Sequence, residues 1–138
     1  MRYLLDTNIL SELIRKRPNP HLLERLRSKS SRSLFTSCIC VTELRYGSAL
    51  RKDFELFWSK IEEEILSRVN ILEFGVNESV IAGDLLASLQ KRGRSVGMED
   101  VLIASTALSH NCAMITGNVR HFLDMEGLTV ENWLDPPR

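Results

Sequence analysis

Short apolar runs alternate with longer stretches of helical periodicity along this chain. Runs at 3–5, 33–36, 69–74, 112–116 and 128–130 have strand length and are bounded by polar or turn-forming residues. Between them, apolar side chains recur at helical spacing. Residues 8–14 read as a first helix, Pro18-Asn19-Pro20 breaks the chain, and Leu22, Leu23 and Leu26 mark a second. Ser37 is placed to cap a third helix that carries Val41, Glu43, Leu44 and Tyr46 and is expected to stop near Gly47. Phe54, Phe57, Trp58, Ile61 and Ile65 form the apolar stripe of a fourth, an aromatic face suited to the core or to a subunit interface. Asn77 is the expected cap of a fifth, which carries Ile81, Leu85 and Leu89 and stops at Gly93. Residues 101–108 are apolar on nearly every side, as in a helix packed centrally. This alternation predicts an α/β fold: a three-layer α/β/α sandwich around a mostly parallel sheet of about five strands, in one domain spanning 1–138.

Composition adds limits. At 43% hydrophobic and 26% charged residues the chain is ordinary for a globular protein. No apolar run approaches the roughly 20 residues of a membrane span. The chain leads straight into a strand with no secretory apolar region, so a cytoplasmic location is expected. Cys38, Cys40 and Cys112 form no C-x-x-C and no zinc framework, which agrees. The formal charge is zero, so the sum does not announce nucleic acid. The distribution says more: Arg15-Lys16-Arg17 opens a basic early segment, and Lys91, Arg92 and Arg94 form a second cluster. Cations at solvated helix C-termini give the same pattern.

Four polar positions stand out on this scaffold. Asp6 leaves the first strand, where open α/β sheets place their ligands and where a buried charge is costly unless something stabilises it. Glu43 lies one or two turns into the third helix, Asp100 at the start of the apolar helix, and Asn118 just past the strand ending at Thr116. Each acid has a plain alternative: Asp6 as an N-cap, Glu43 in an exposed pair with Arg45, Asp100 at a helix dipole. In a parallel sheet, however, their elements share one edge. Carboxylates crowded there are stable at neutral pH only with a compensating cation. An all-oxygen site suits Mg²⁺ or Mn²⁺, and the chemistry such an ion serves best is phosphodiester hydrolysis.

The segments Leu4-Leu5-Asp6-Thr7-Asn8-Ile9-Leu10, Thr42-Glu43-Leu44-Arg45-Tyr46-Gly47, Asp100-Val101-Leu102-Ile103-Ala104 and Thr116-Gly117-Asn118 resemble, in order, the motifs of PIN-domain nucleases. The length and the ending Thr129-Val130-Glu131-Asn132-Trp133 are similar to the VapC toxins of bacterial toxin–antitoxin pairs. The resemblance implies a Mg²⁺-dependent endoribonuclease that cuts RNA, such as transfer or ribosomal RNA loops, and inhibits translation until a VapB-like antitoxin covers its cleft. It implies Asp6, Glu43 and Asp100 around the metal, with Asp6 and Asp100 the most direct ligands, and Asn118 as the fourth site position. Thr7, Asn8 and Thr116 would be supporting polar residues. It also implies a homodimer, in which the 54–65 helix is available to take part.

One position departs from the pattern. Such toxins usually carry a further acid before the Phe that follows the Asn, and this chain has His121 before Phe122. A site with three carboxylates favours one tightly held ion over two. His121 itself reads either as a surface residue or as a phosphate contact. Asp124 is a weak substitute for the missing acid, and Glu99 points about 100° away from Asp100 on a helix. The neutral replacement also leaves open a weakly active binding module that acts with its antitoxin on promoter DNA. Arg15, Lys16, Lys91 and Arg92 are the candidate cations for steering RNA. An aspartyl-phosphate phosphatase is disfavoured by Asn8, where a second Asp is needed, and a receiver domain by the lack of a Lys after 112–116.

Overall fold

The computed structural model describes residues 1–137. Five strands form one sheet: β1 (Arg2–Leu5), β2 (Leu34–Ser37), β3 (Asn70–Leu72), β4 (Cys112–Ile115) and β5 (Val130–Glu131). Their order is β3-β2-β1-β4-β5 and every pairing is parallel, so the expected mostly parallel sheet is wholly so. Tyr3 lies opposite Leu34 on one side of β1, and Leu5 opposite Ile115 on the other. Parallel neighbours need crossover connections; six helices supply the first three, α1 (Thr7–Glu12), α2 (Pro20–Arg27), α3 (Cys38–Ala49), α4 (Phe54–Glu64), α5 (Val76–Lys91) and α6 (Met98–Ser109), and a loop with a 3-10 turn at Val119–His121 supplies the last. Leu4 and Leu5 point to opposite faces of the sheet and neither is exposed; all four residues of β4 are buried as well. Both faces are therefore covered, which is the three-layer sandwich. No helix among the described residues is long and apolar enough to cross a membrane.

Several boundaries move from their expected places for local reasons. α3 does not stop at Gly47 but runs on to Ala49. Buried Leu44 and Ser48 keep its inner face against the core, and the Ser48 hydroxyl donates to the Leu44 carbonyl at 2.8 Å. A helical Gly costs only about 1 kcal/mol, too little to end the helix against that packing. α5 is capped at Gly75 rather than Asn77, because the Glu78 carboxylate turns back to accept the Gly75 N–H at 2.8 Å. β3 pairs over Asn70–Leu72 alone, half the expected run, as the edge strand of the sheet. The last strand pairs at Val130–Glu131, slightly later than expected. Ser37 does cap α3, accepting from the Cys40 N–H at 3.1 Å. Asn111 turns the chain between α6 and β4 with φ 55°, a left-handed conformation that Asn tolerates.

β1 feeds β2 and β3 on one side, and the chain then returns to lay β4 on the other. The gap between the carboxyl ends of β1 and β4 is thus the topological switch point, where open sheets bind ligands.

Candidate metal centre

Asp6 is the first residue past β1, and its N–H donates to the Ile115 carbonyl of β4 at 2.9 Å. It is also the N-cap of α1, so the plain reading and the functional one describe the same residue. Only 4% of Asp6 is exposed. Its carboxylate accepts three bonds: from the Thr7 N–H at 2.8 Å, the Asn8 amide at 3.1 Å and the Thr116 hydroxyl at 2.8 Å. The donors are fixed by backbone groups. The Gly117 N–H donates to Asn8 Oδ1 at 2.9 Å, which turns the Asn8 NH₂ towards Asp6 and Thr116. Thr116 Oγ1 in turn accepts from the Asn118 N–H at 2.9 Å, leaving its own proton for Asp6. Space at Gly117 is tight: a Cβ would sit 3.0 Å from Leu134 Cδ1, which would have to shift, and 3.4 Å from Asn8 Oδ1. Thr7, Asn8 and Thr116, the expected supporting residues, thus all contact the Asp6 carboxylate.

Glu43 reaches the same place from α3. Its Oε1 accepts from the Thr7 hydroxyl at 2.8 Å, and a carboxylate oxygen of each of Asp6 and Glu43 and the Cys40 sulfur all lie within 4.8 Å of one another. Arg45 does not pair with Glu43; its guanidinium lies over the Phe54 and Trp58 rings at 4.3 and 4.9 Å. Asp100, in the first turn of α6, lines this cleft too, as does Asn118, so all four sequence-predicted positions converge. The cleft, of about 660 Å³, is further lined by Ser11, Glu12, Arg15 and His121.

Electrostatics make the cluster costly by itself. Burial raises the Asp6 pKa above the usual carboxylate range, against the Thr116 and Thr7 hydrogen bonds, and the charge of Asp100 adds to the rise. Glu43 is raised as well, first by burial and then, against its Thr7 bond, by the charges of Asp6, Asp100 and Glu99. No ion pair reaches Asp6 or Glu43 among the described residues; Arg15 pairs with Glu12 at 3.2 Å instead. A buried carboxylate at a strand exit, with half-buried Glu43 and Asp100 beside it and no ion pair to Asp6 or Glu43, forms a donor set that a hard divalent ion fits. The Cys40 thiol is pushed up by burial and held by Ser37 and the Leu5 carbonyl, so it is a poor ligand beside them.

Several further residues take different places from those expected. His121 is no bystander: its Nδ1 lies 2.9 Å from Asp100 Oδ2. A contact made across a loop, by residues 21 apart in sequence, has no periodic signal in the chain. Asp124 does not replace the missing acid; it pairs with Arg94 at 3.4 Å and does not line the cleft. Of the proposed steering cations only Arg15 borders the cleft, while Lys16, Lys91 and Arg92 do not, and Arg92 is bound to the Asp124 carbonyl.

Comparison with known proteins agrees with this geometry. The PIN-domain family model matches residues 3–128. Ribonuclease VapC2 of Rickettsia felis is 33% identical over 133 residues, covering 96% of this chain and 98% of that protein. The tRNA(fMet)-specific endonuclease VapC of Salmonella typhimurium is 30% identical over 135 residues, with 96% and 98% covered. The crystal structure of VapBC2 from Rickettsia felis bound to a DNA fragment from their promoter superposes with a TM-score of 0.86 at 32% identity, over 96% of this chain and 99% of that one. This chain therefore belongs to the PIN-domain family, among its VapC ribonucleases.

Proposed function

We propose that the whole chain, 1–138, is one PIN domain acting as a Mg²⁺-dependent endoribonuclease, the toxin of a toxin–antitoxin pair, with Mn²⁺ able to substitute. The observation that carries this reading is the convergence of Asp6, Glu43 and Asp100 on one cleft at the switch point of the sheet, with no ion pair to Asp6 or Glu43 among the described residues. Asp6, Glu43 and Asp100 hold the ion in this reading. Bound there, a divalent ion supplies charge opposite the phosphate and acidifies water. Glu43, fixed by the Thr7 hydroxyl, orients the attacking water, and the Asn118 amide hydrogen-bonds a ligand of the ion or a water bound to it. The substrate is RNA, transfer or ribosomal loops being the reasonable classes since unpaired bases are accessible. A VapB-like antitoxin silences the cleft, the working form is a homodimer, and the compartment is the cytoplasm. The relatives named above, one a tRNA endonuclease and one seen with its antitoxin on promoter DNA, support these assignments.

Incubation of the antitoxin-free protein with total RNA tests the reading. Cleavage is expected with Mg²⁺ and is expected to vanish with EDTA. No cleavage of any RNA pool would instead favour a binding module that acts with its antitoxin on promoter DNA, the role suggested by the Rickettsia complex.

The hydrogen bonds behind Asp6 give a second test. Thr116→Val removes the hydroxyl that anchors Asp6 and accepts from Asn118. It is expected to weaken Mn²⁺ binding in calorimetry and slow cleavage by about 10–100-fold, the usual cost of losing a ligand's partner. Stability should fall by about 1–3 kcal/mol for the buried groups left unpaired. Thr116→Ser should restore all three.

A further inference from the structure

A polyanionic strand cannot be held by the carboxylate cleft alone. Three acids repel it, and an ion neutralises them only at the cleaved phosphate, so neighbouring phosphates need contacts of their own. Beside the cleft lies a second depression of about 360 Å³, whose lining includes Arg94, Gly97, Asp100, Arg120, His121 and Asp124. Asp100 and His121 line both hollows, so they share a wall. Within the second, Asp124 is matched by Arg94 at 3.4 Å and Asp100 belongs to the ion in the nuclease reading, which leaves Arg120, whose side chain makes no ion pair or hydrogen bond among the described residues. The wall itself carries His121, whose Nδ1 lies 2.9 Å from Asp100 Oδ2 and so covers part of that carboxylate.

A third hollow also touches Arg120 and His121, but its balance differs. There Arg25 pairs with Glu131 at 3.8 Å and Asp135 adds a further negative charge. Its one aromatic residue, Trp133, is wholly buried and offers no face for stacking a base. With Asp100 given to the ion of the nuclease reading, the second depression keeps one cation in excess and the third keeps none, so the second is the one whose charge suits a phosphate.

We propose that this depression is a subsite for a backbone phosphate of the RNA adjacent to the cleaved one, held by Arg120 with Arg94 beside it. The inference rests on the nuclease reading. It makes Arg120 a positioning residue that binds substrate without touching the reacting atoms.

Fluorescence anisotropy with a short labelled single-stranded RNA, in Mg²⁺ and with Glu43→Gln protein to prevent cleavage, reads the subsite out. Arg120→Ala should raise Kd by about tenfold. The slope of log K against log salt should fall by about 0.7, one phosphate contact on a single strand. Arg120→Lys keeps the charge and should keep the slope. In otherwise wild-type protein, Arg120→Ala should raise KM with kcat little changed. Lys60→Ala, an exposed cation on α4, should change neither quantity. An unchanged Kd and slope in Arg120→Ala, or an equal drop in slope in Lys60→Ala, overturns the subsite while leaving the nuclease intact. Failure of the wild-type protein to cleave RNA overturns the nuclease reading, and the subsite with it.

Discussion

Glu43→Gln and Asp100→Asn are each expected to lower RNA cleavage by about 10³-fold or more while leaving the metal-free protein at least as stable as the wild type. The rate loss follows from what a held cation supplies, several kcal/mol of charge stabilisation, at about 1.4 kcal/mol for each factor of ten. The stability expectation follows from the electrostatics of the cleft. Glu43 is raised by burial and by the charges of Asp6, Asp100 and Glu99, so its ionised form is less favourable in the folded state than in the unfolded chain. An acid raised in this way burdens the fold wherever it is ionised in both states. The burden is full above the raised pKa and fades as pH falls through it towards the ordinary range, because the folded state then takes up protons first. Gln at 43 keeps an oxygen to accept the Thr7 hydroxyl and removes the charge. In EDTA, Tm of Glu43→Gln should exceed that of the wild type at pH 7, and the gap should close on acidification towards about pH 4. A large loss of Tm at neutral pH in both variants would show that these acids serve the fold rather than an ion.

Asp6→Asn is a less clean probe, and the reason is visible. Asp6 Oδ2 accepts from both Asn8 and Thr116, and Asn8 is locked by the Gly117 N–H. An Asn at position 6 either turns its NH₂ towards the Asn8 NH₂ or turns it towards the Thr7 N–H; each choice sets donor against donor. That penalty, about 1–3 kcal/mol for a buried unmet group, offsets the relief of removing the charge. Cleavage should be lost as in the other two variants, and stability should change little or fall.

The same contrast explains what the chain made legible. Strands β1 and β4 are covered on both faces, so they appear as unbroken apolar runs, and an acid at the end of one stands out at once. Alternation of strand and helix then requires a parallel sheet, and a parallel sheet brings Asp6, Glu43, Asp100 and Asn118 to one edge. What could not be read depends on geometry that no period records. Gly47 inside α3 and the Glu78 cap on Gly75 are settled by packing and by one side chain turning back. The short 3-10 turn at Val119–His121 decides that His121 meets Asp100 and that Arg120 borders the adjoining hollow. Lys91 and Arg92 are basic in sequence but end α5 outside the cleft, where Arg92 is occupied by the Asp124 carbonyl. Charge clusters along a chain are a poor guide to where the charge is delivered.

Trp133→Ala should have the largest effect on stability, and it tests how the site is anchored. β5 is only two residues long and pairs with β4 at Met114 and Ile115. Trp133 follows it, wholly buried, with its ring centroid 4.9 Å from that of Tyr3 on β1 and the Lys29 ammonium over both rings. The indole N–H donates to Glu131 Oε1 at 3.2 Å, and the Glu131 carbonyl accepts from the Thr116 N–H at 3.0 Å. Truncating a buried Trp costs about 3–5 kcal/mol, which for a chain of this size lowers Tm by about 10–20 °C. Trp133→Phe keeps most of the apolar contact and loses the N–H bond, so its fall should be a fraction of that. Because Glu131 steadies the backbone of Thr116, and Thr116 carries the hydroxyl that fixes Asp6, Mn²⁺ binding should weaken in Trp133→Ala even below its melting range. Glu43→Gln should show the opposite pairing, lost binding with stability kept. A Trp133→Ala protein that melts within a few degrees of the wild type would mean that β4 holds Thr116 without the C-terminal segment, and the coupling between this end of the chain and the cleft would have to be abandoned.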